Sequence, residues 1–165
     1  MKLSTKGRYA VMAMADLAKN SAGHPVPLAD IATRQEISLS YLEQLFARLR
    51  RRGLVRSVRG PGGGYLLGQP TEDTRIADII LAVDEPIRAT RCLPGAPKGC
   101  TGLNGPCITH DLWEELGNHI HLFLSAISLA DVCERRVLGT SCTITRKSTV
   151  QTTAATAAGA ATAAE

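Results

Sequence analysis

Cys92, Cys100, Cys107 and His110 fall within nineteen residues, with seven, six and two residues between them. Three of the five cysteines and one of the four histidines in the chain are therefore gathered in one stretch. The intervening residues are mostly Gly, Pro, Thr, Asn and Leu, which form no regular element. A loop of this length without secondary structure of its own usually has a function or is disordered. Thiolate sulfur is a soft donor, and a set of thiolates with an imidazole selects zinc, copper(I) or iron–sulfur chemistry. Structural zinc sites usually draw on closely spaced Cys pairs, whereas here only Cys107 and His110 are close. Ligand chemistry alone leaves zinc and [2Fe–2S] level, with unligated thiols as the bland alternative.

The elements around this stretch must position it. Downstream, Leu112, Leu116, Ile120, Phe123 and Ile127 recur at steps of four, four, three and four. This predicts a long amphipathic helix with a seam near heptad spacing. Cys107 and His110 straddle its start at i and i+3, so one helical turn can aim both at a common centre. The helix either packs on its own domain or pairs two copies of the chain. Ser128 is expected to cap a last short helix running to about Arg136. Upstream, residues 75–83 read as a short apolar helix.

The first half is organised differently. Residues 6–20 carry Tyr9, Met12, Ala13 and Leu17 on one helical face. Pro27 opens a second helix with Leu28, Ile31 and Ala32 at helical spacing. Ser40 stands three residues before Glu43, a capping-box spacing, ahead of Leu42, Leu45, Phe46 and Leu49. This third helix should end near Gly53, with Arg50, Arg51 and Arg52 in its last turn. Two strands follow at 54–58 and 64–67, joined by Arg59 and a glycine-rich turn. Helix, helix, turn, helix and hairpin is the order of a winged helix-turn-helix. The expected fold is mainly α with a small β-hairpin: a winged-helix DNA-binding domain (1–70), a linking helix and connection (71–91), the Cys/His loop (92–110), a long dimerisation helix with a short last helix (109–138), and a tail (139–165). The Ala/Thr-rich tail has too few large apolar residues to offset its ordering entropy and is expected to be disordered.

Composition and charge narrow the class. Apolar residues make up 44% of the 165 and aromatic residues 4%, so Leu, Ile, Val and Ala must fill the core. No secretory apolar run and no bilayer-length stretch are present, which leads us to expect a cytoplasmic protein without a membrane role. A reducing cytosol favours metal ligation over disulfides. Residues 1–68 hold eleven Lys/Arg against four Asp/Glu, and residues 69–139 hold six against ten. A basic first half is what a polyanion partner requires, although a solvated charged surface gives the same count.

In the helix-turn-helix reading, Ser38, Ser40, Tyr41, Glu43 and Gln44 lie at the start of the recognition helix, where side chains reach base edges. Gln pairs with adenine in bidentate fashion, and Glu accepts from the cytosine amino group. Glu43 also repels phosphate, which suits it to selecting sites. Its bland role is to cap Ser40. Arg59 at the wing tip is the candidate for a minor-groove contact. Lys6, Arg50, Arg51, Arg52 and Arg56 are candidate phosphate contacts, though each taken singly is equally a solvated charge. The glycines at 60 and 62–64 do not make a phosphate-binding loop, because no Lys-Ser/Thr follows and they join two strands. Cys133 reads as a small core residue of the last helix, and Cys142 as an unpaired thiol in the tail.

The runs KGRYAV (6–11), PVPLADIA (25–32), ISLSYLEQLFARLRRRGLV (37–55), SVRGPGGGYLL (57–67) and AVDEPIRATRC (82–92) carry a family likeness. Over about residues 1–138 the chain resembles the IscR family, winged-helix transcription regulators of bacteria that sense iron–sulfur clusters. The resemblance implies a homodimer on a two-fold DNA operator, with one [2Fe–2S] cluster per subunit held by Cys92, Cys100, Cys107 and His110. It further implies a cluster drawn from the iron–sulfur assembly machinery. Control of cluster-biogenesis genes, as repressor or activator, follows with a choice of sites that depends on cluster occupancy. The gaps of seven and six residues are longer than usual in that family. A neutral imidazole in place of a fourth thiolate should hold a cluster less firmly, which suits a sensor. The competing classes are a zinc-stabilised repressor and an electron-transfer protein or enzyme. The last lacks any nucleophile–base pair or substrate pocket in the sequence.

Overall fold

In the computed structural model, residues 5–87 and 107–137 are described. The Cys92 and Cys100 part of the ligand set and the tail from 139 lie outside them. Among the described residues, six helices and one hairpin follow in the order α1 (Thr5–Asn20), α2 (Leu28–Gln35), α3 (Leu39–Arg51), β1 (Val55–Val58), β2 (Gly64–Leu67), α4 (Ile76–Ala82), α5 (His110–Ala126) and α6 (Leu129–Cys133). The mainly helical winged arrangement is the one expected.

The apolar spacing of each helix explains its packing. Ala10, Ala13, Met14 and Leu17 of α1, Ile31 of α2, and Leu42, Leu45, Phe46 and Leu49 of α3 are fully or almost fully buried. They form one core with Ile79, Ile80 and Val83 of the α4 region and with Ile127 and Leu129. The winged half and the C-terminal helices therefore share a single apolar interior. α2 is stopped by Glu36, which takes a left-handed conformation (φ 53°). Ile37 then donates its N–H to Ala32 (3.1 Å) and turns into the core.

One boundary differs from expectation. α3 begins at Leu39, with extended Ser38 (φ −61°, ψ 136°) in the cap position. Tyr41 and Leu42 both donate to the Ser38 carbonyl at 3.1 Å. Ser40 thus lies inside the first turn, and the capping box expected with Glu43 does not form. The cap is set by the turn at Glu36 and burial of Ile37, which fix the chain's entry two residues earlier.

The wing is an antiparallel pair with Val55 opposite Leu67 and Val58 opposite Gly64. A bridge between Val26 and Tyr65 ties it to the segment before α2, with reciprocal backbone hydrogen bonds of 2.9 Å. Gly64 makes this approach feasible, because a Cβ there would strike the Val26 carbonyl. α5 is joined to α4 through backbone as well: Ile76 N–H donates to Ile127 (3.0 Å), and Leu129 N–H to Thr74 (2.8 Å). Ser128 caps α6 in a reciprocal box with Asp131, as its position predicted. Cys133 packs half-buried, its thiol 3.8 Å from the Ala15 carbonyl, and burial pushes that thiol's pKa up.

Asp16 is a buried acid near the C-terminal end of α1. Its carboxylate accepts from Arg34 (Nη2 at 2.6 Å, Nε at 3.1 Å), from Gln35 Nε2 (2.7 Å) and from Asn20 Nδ2 (3.3 Å). Burial alone raises its pKa. The hydrogen bonds from Arg34 and Gln35 and the Arg34 charge outweigh that and hold it below the usual carboxylate value. The cluster fastens α1 to the end of α2.

A second long-range anchor lies at the other end of α1. The Gly7 N–H donates to the Glu85 carboxylate at 2.7 Å. Helix N-terminal amides lack partners within the helix, and a carboxylate there is favoured by the dipole.

Candidate nucleic-acid interface and metal-ligand segment

Residues of α3 that face away from the core are Ser40, Glu43, Gln44, Ala47, Arg50 and Arg51. Their spacing places them along one side of the helix. The buried set Leu42, Leu45, Phe46 and Leu49 fixes that orientation by occupying the opposite side. Five of the six belong to the base-reading and phosphate sets expected from the sequence. Ala47 was not among the expected contacts. Helical periodicity marks it, and its small side chain lets the backbone come close to a groove or lets its methyl meet a thymine methyl.

Ser38 is exposed at the helix entry. Tyr41 is only half-exposed, because its ring meets Tyr9 edge-on at 6.1 Å. It therefore connects α3 to α1 as well as bordering the exposed side. Lys6 sits half-buried in the first turn of α1, with exposed Arg8 two residues on.

The wing brings a second set of cations beside the first. Arg50 Nη1 reaches Ser57 Oγ at 3.4 Å, linking the end of α3 to β1. Arg56 and Arg59 are exposed on the hairpin, and Arg51 and Arg52 are exposed at the end of α3. The turn carrying Arg59 needs its glycines: Gly60 and Gly62 have φ of 102° and 73°. A Cβ on Gly63 would come 2.5 Å from the Val58 carbonyl. A tight turn with no bulky neighbours leaves the Arg59 guanidinium prominent. Arg48 is turned elsewhere, its Nη1 bonded to Asp84 Oδ2 (2.7 Å) and to the Val83 carbonyl (3.1 Å).

Of the four soft ligands, Cys107 and His110 lie among the described residues. The His110 N–H donates to the Cys107 carbonyl at 2.9 Å, so both side chains spring from one turn at the start of α5. Cys107 Sγ lies 3.6 Å from Thr109 Oγ1, and the thiol is half-buried. His110 Nε2 lies 3.5 Å from Glu114 Oε2, and Asp111 completes a group whose ligand atoms lie within 4.8 Å of one another. A sulfur and an imidazole from one turn fit the first two positions of a soft metal or iron–sulfur site.

α5 itself is unusually open. Only Gly117 is buried along its seventeen residues. Leu112, Trp113 and Leu122 are exposed at 62%, 44% and 56%, and Ile108 just before it is fully exposed. None of the described helices is long and apolar enough to cross a membrane.

Comparison with known proteins agrees with this geometry. Residues 3–135 match the Rrf2 family, described as iron-dependent transcriptional regulators. The chain is 58% identical over 132 residues to the HTH-type transcriptional regulator IscR of Photorhabdus laumondii subsp. laumondii, covering 80% of this chain and 79% of that one. It is 57% identical over 132 residues to IscR of Yersinia pseudotuberculosis serotype O:1b, with the same coverage. Among solved structures, T. potens IscR superposes with a TM-score of 0.66 at 38% identity, covering 82% of this chain and 88% of that one. CymR (YrzC), the global cysteine regulator of B. subtilis, gives 0.67 at 34% identity, covering 82% and 98%. These relatives are transcriptional regulators, which have no enzymatic function. The chain belongs to the Rrf2 family and is a DNA-binding transcription regulator, not an enzyme.

Proposed function

We propose that this regulator senses [2Fe–2S] cluster status and controls the genes of iron–sulfur cluster biogenesis, with cluster occupancy changing which DNA sites it prefers. The observation that carries the reading is the pairing of Cys107 and His110 on one turn at the head of α5. The same chain presents Glu43, Gln44, Arg50 and Arg51 outward from α3. In this reading Cys92, Cys100, Cys107 and His110 hold the cluster. When bound, it supplies a one-electron redox centre that oxidants or iron shortage can remove. Glu114 shares His110 with that site, since its carboxylate lies against Nε2.

The protein's own residues then divide the work. Ser38, Ser40, Tyr41, Glu43 and Gln44 meet base edges in the major groove, and Arg59 enters the minor groove from the wing. Lys6, Arg50, Arg51, Arg52 and Arg56 neutralise phosphates, which sets affinity and its salt dependence. The exposed apolar residues of α5 pair two copies of the chain, giving a homodimer for a two-fold operator. The cluster comes from the assembly machinery of the cytoplasm, and the protein represses or activates according to the site it occupies.

The test is anaerobic purification, a visible spectrum, and operator binding by matched cluster-loaded and cluster-free protein at one salt concentration. A coloured protein with iron and sulfide in equal amounts, and site preferences that differ between the two forms, is the expected result. A colourless protein holding one zinc per subunit, or identical site preferences, would overturn it.

A further inference from the structure

Residues 83–85 are held from two sides. On one side, Arg48 of α3 bonds Asp84 Oδ2 at 2.7 Å and the Val83 carbonyl at 3.1 Å. On the other, Glu85 accepts the Gly7 N–H in the first turns of α1 at 2.7 Å. Val83 is fully buried between these contacts. Asp84 adopts a left-handed conformation (φ 57°), which turns the chain so that successive carboxylates address different helices. Gly7 is buried, and a Cβ there would lie 2.7 Å from the Glu85 carboxylate, so the close approach depends on glycine.

Both anchor points adjoin the candidate DNA-contact residues without being among them. Arg48 stands one helical turn from Gln44 and from Arg51, two outward-facing residues of α3. Gly7 lies between Lys6 and Arg8. The segment they grip is α4's exit, and in sequence it precedes Cys92 by seven residues. α4 is also bonded through Ile76 and Thr74 to the far end of α5.

We propose that residues 83–85 form the relay between the ligand segment and the DNA-reading face, with Asp84 and Glu85 as positioning residues that set α3 and the start of α1. This rests on the reading that cluster occupancy changes DNA binding. Displacement of the segment pulls on Arg48 and on Gly7 together, so the recognition helix and the Lys6–Arg8 turn shift in concert. Coupling between two sites is a ratio of affinities, typically about five-fold or more. A demonstrated change in that ratio is what distinguishes a relay from mere adjacency.

The experiment uses the full chain, loaded anaerobically with cluster or freed of it, and one two-fold operator duplex at fixed salt. The quantity read is the dissociation constant of the cluster-free form divided by that of the cluster-loaded form. Asp84→Ala and Glu85→Ala are expected to bring this ratio about five-fold or more closer to one, with cluster absorbance per subunit unchanged. Glu85→Gln, whose amide oxygen still accepts from Gly7, is expected to keep the wild-type ratio. If Glu85→Ala does not fold, Asp84→Ala decides, because the Asp84 side chain is 64% exposed and contributes little to the core. A wild-type ratio well above one that Asp84→Ala and Glu85→Ala both preserve overturns the relay alone. A wild-type ratio of one overturns the cluster-sensing reading and the relay with it.

Discussion

Phe46 of the recognition helix and Tyr65 of the wing meet edge-to-face, with ring centroids 4.9 Å apart and planes at 72°. Phe46 is fully buried, while Tyr65 is half-exposed and bonded through its backbone to Val26. This contact packs α3 directly against the wing. Phe46→Ala is expected to destabilise the fold by about 3–5 kcal/mol. Tyr65→Ala should cost less, but should weaken operator binding by freeing the wing. Urea unfolding and operator titration check both. Full operator affinity in a folded Tyr65→Ala protein would show that the wing needs no such brace.

Asp16 makes stability depend on pH. Its folded pKa lies below the unfolded value, so its contribution is complete above the unfolded pKa. That contribution disappears as pH falls through the ordinary carboxylate range toward the lowered value. Asp16→Ala should cost about 2 kcal/mol at pH 7, less than a fully buried pair, because Arg34 remains partly hydrated. The difference from wild type should shrink as pH falls below about 4. Unfolding curves at pH 7, 5 and 3 test this, and a gap that stays constant would mean the charge on Asp16 is irrelevant.

Arg59→Ala and Glu43→Ala should move DNA binding in opposite ways. Losing Arg59 is expected to weaken operator binding and flatten its salt dependence by about one phosphate-equivalent cation. Losing Glu43 removes a carboxylate from the outward side of α3, so cluster-free protein should bind sites that otherwise require the cluster. Affinity against several operator variants and salt concentrations separates the two. Unchanged site preference in Glu43→Ala would remove it from the discriminating set.

His110→Cys should hold the cluster more firmly, since a thiolate replaces a neutral imidazole and the contact with Glu114 is lost. Slower bleaching of the visible spectrum under chelator or oxidant, with blunted sensing, is the expected outcome. Equal loss rates in both proteins would show that the imidazole does not set cluster lability.

An exposed leucine and tryptophan on α5 should pair two chains. Leu112→Glu together with Trp113→Glu is expected to yield monomer by sedimentation while the helical content is retained. A dimer that survives both changes must be built on another surface.

Much of the winged half was legible because its periodicities are strong. The apolar steps of α1 and α3, the Pro27 start and the Arg-Gly-Pro-Gly turn each have one favourable local reading. The start of α3 is ambiguous in the sequence because Ser38 and Ser40 offer the same capping chemistry. The choice between them is made by the left-handed Glu36 and buried Ile37, which carry no local signal. Asp16 reads as one charge in an apolar run, since the partners that stabilise its burial lie eighteen and nineteen residues away. Cys107 and His110 were legible as a pair from their spacing, because i and i+3 share a helical turn. Arg48 looked like one more basic residue of a cationic run. Its contacts with Val83 and Asp84 lie thirty-five and thirty-six residues away and carry no local signal.

Positions 7 and 85 are 78 residues apart and yet joined by one hydrogen bond. A Cβ at 7 would meet the carboxylate of Glu85, the movable end of that side chain, and push it off the Gly7 N–H. A lineage enlarging residue 7 therefore gives up this contact, whether residue 85 swings aside or is shortened. The contact thus links the histories of two otherwise separate stretches of sequence.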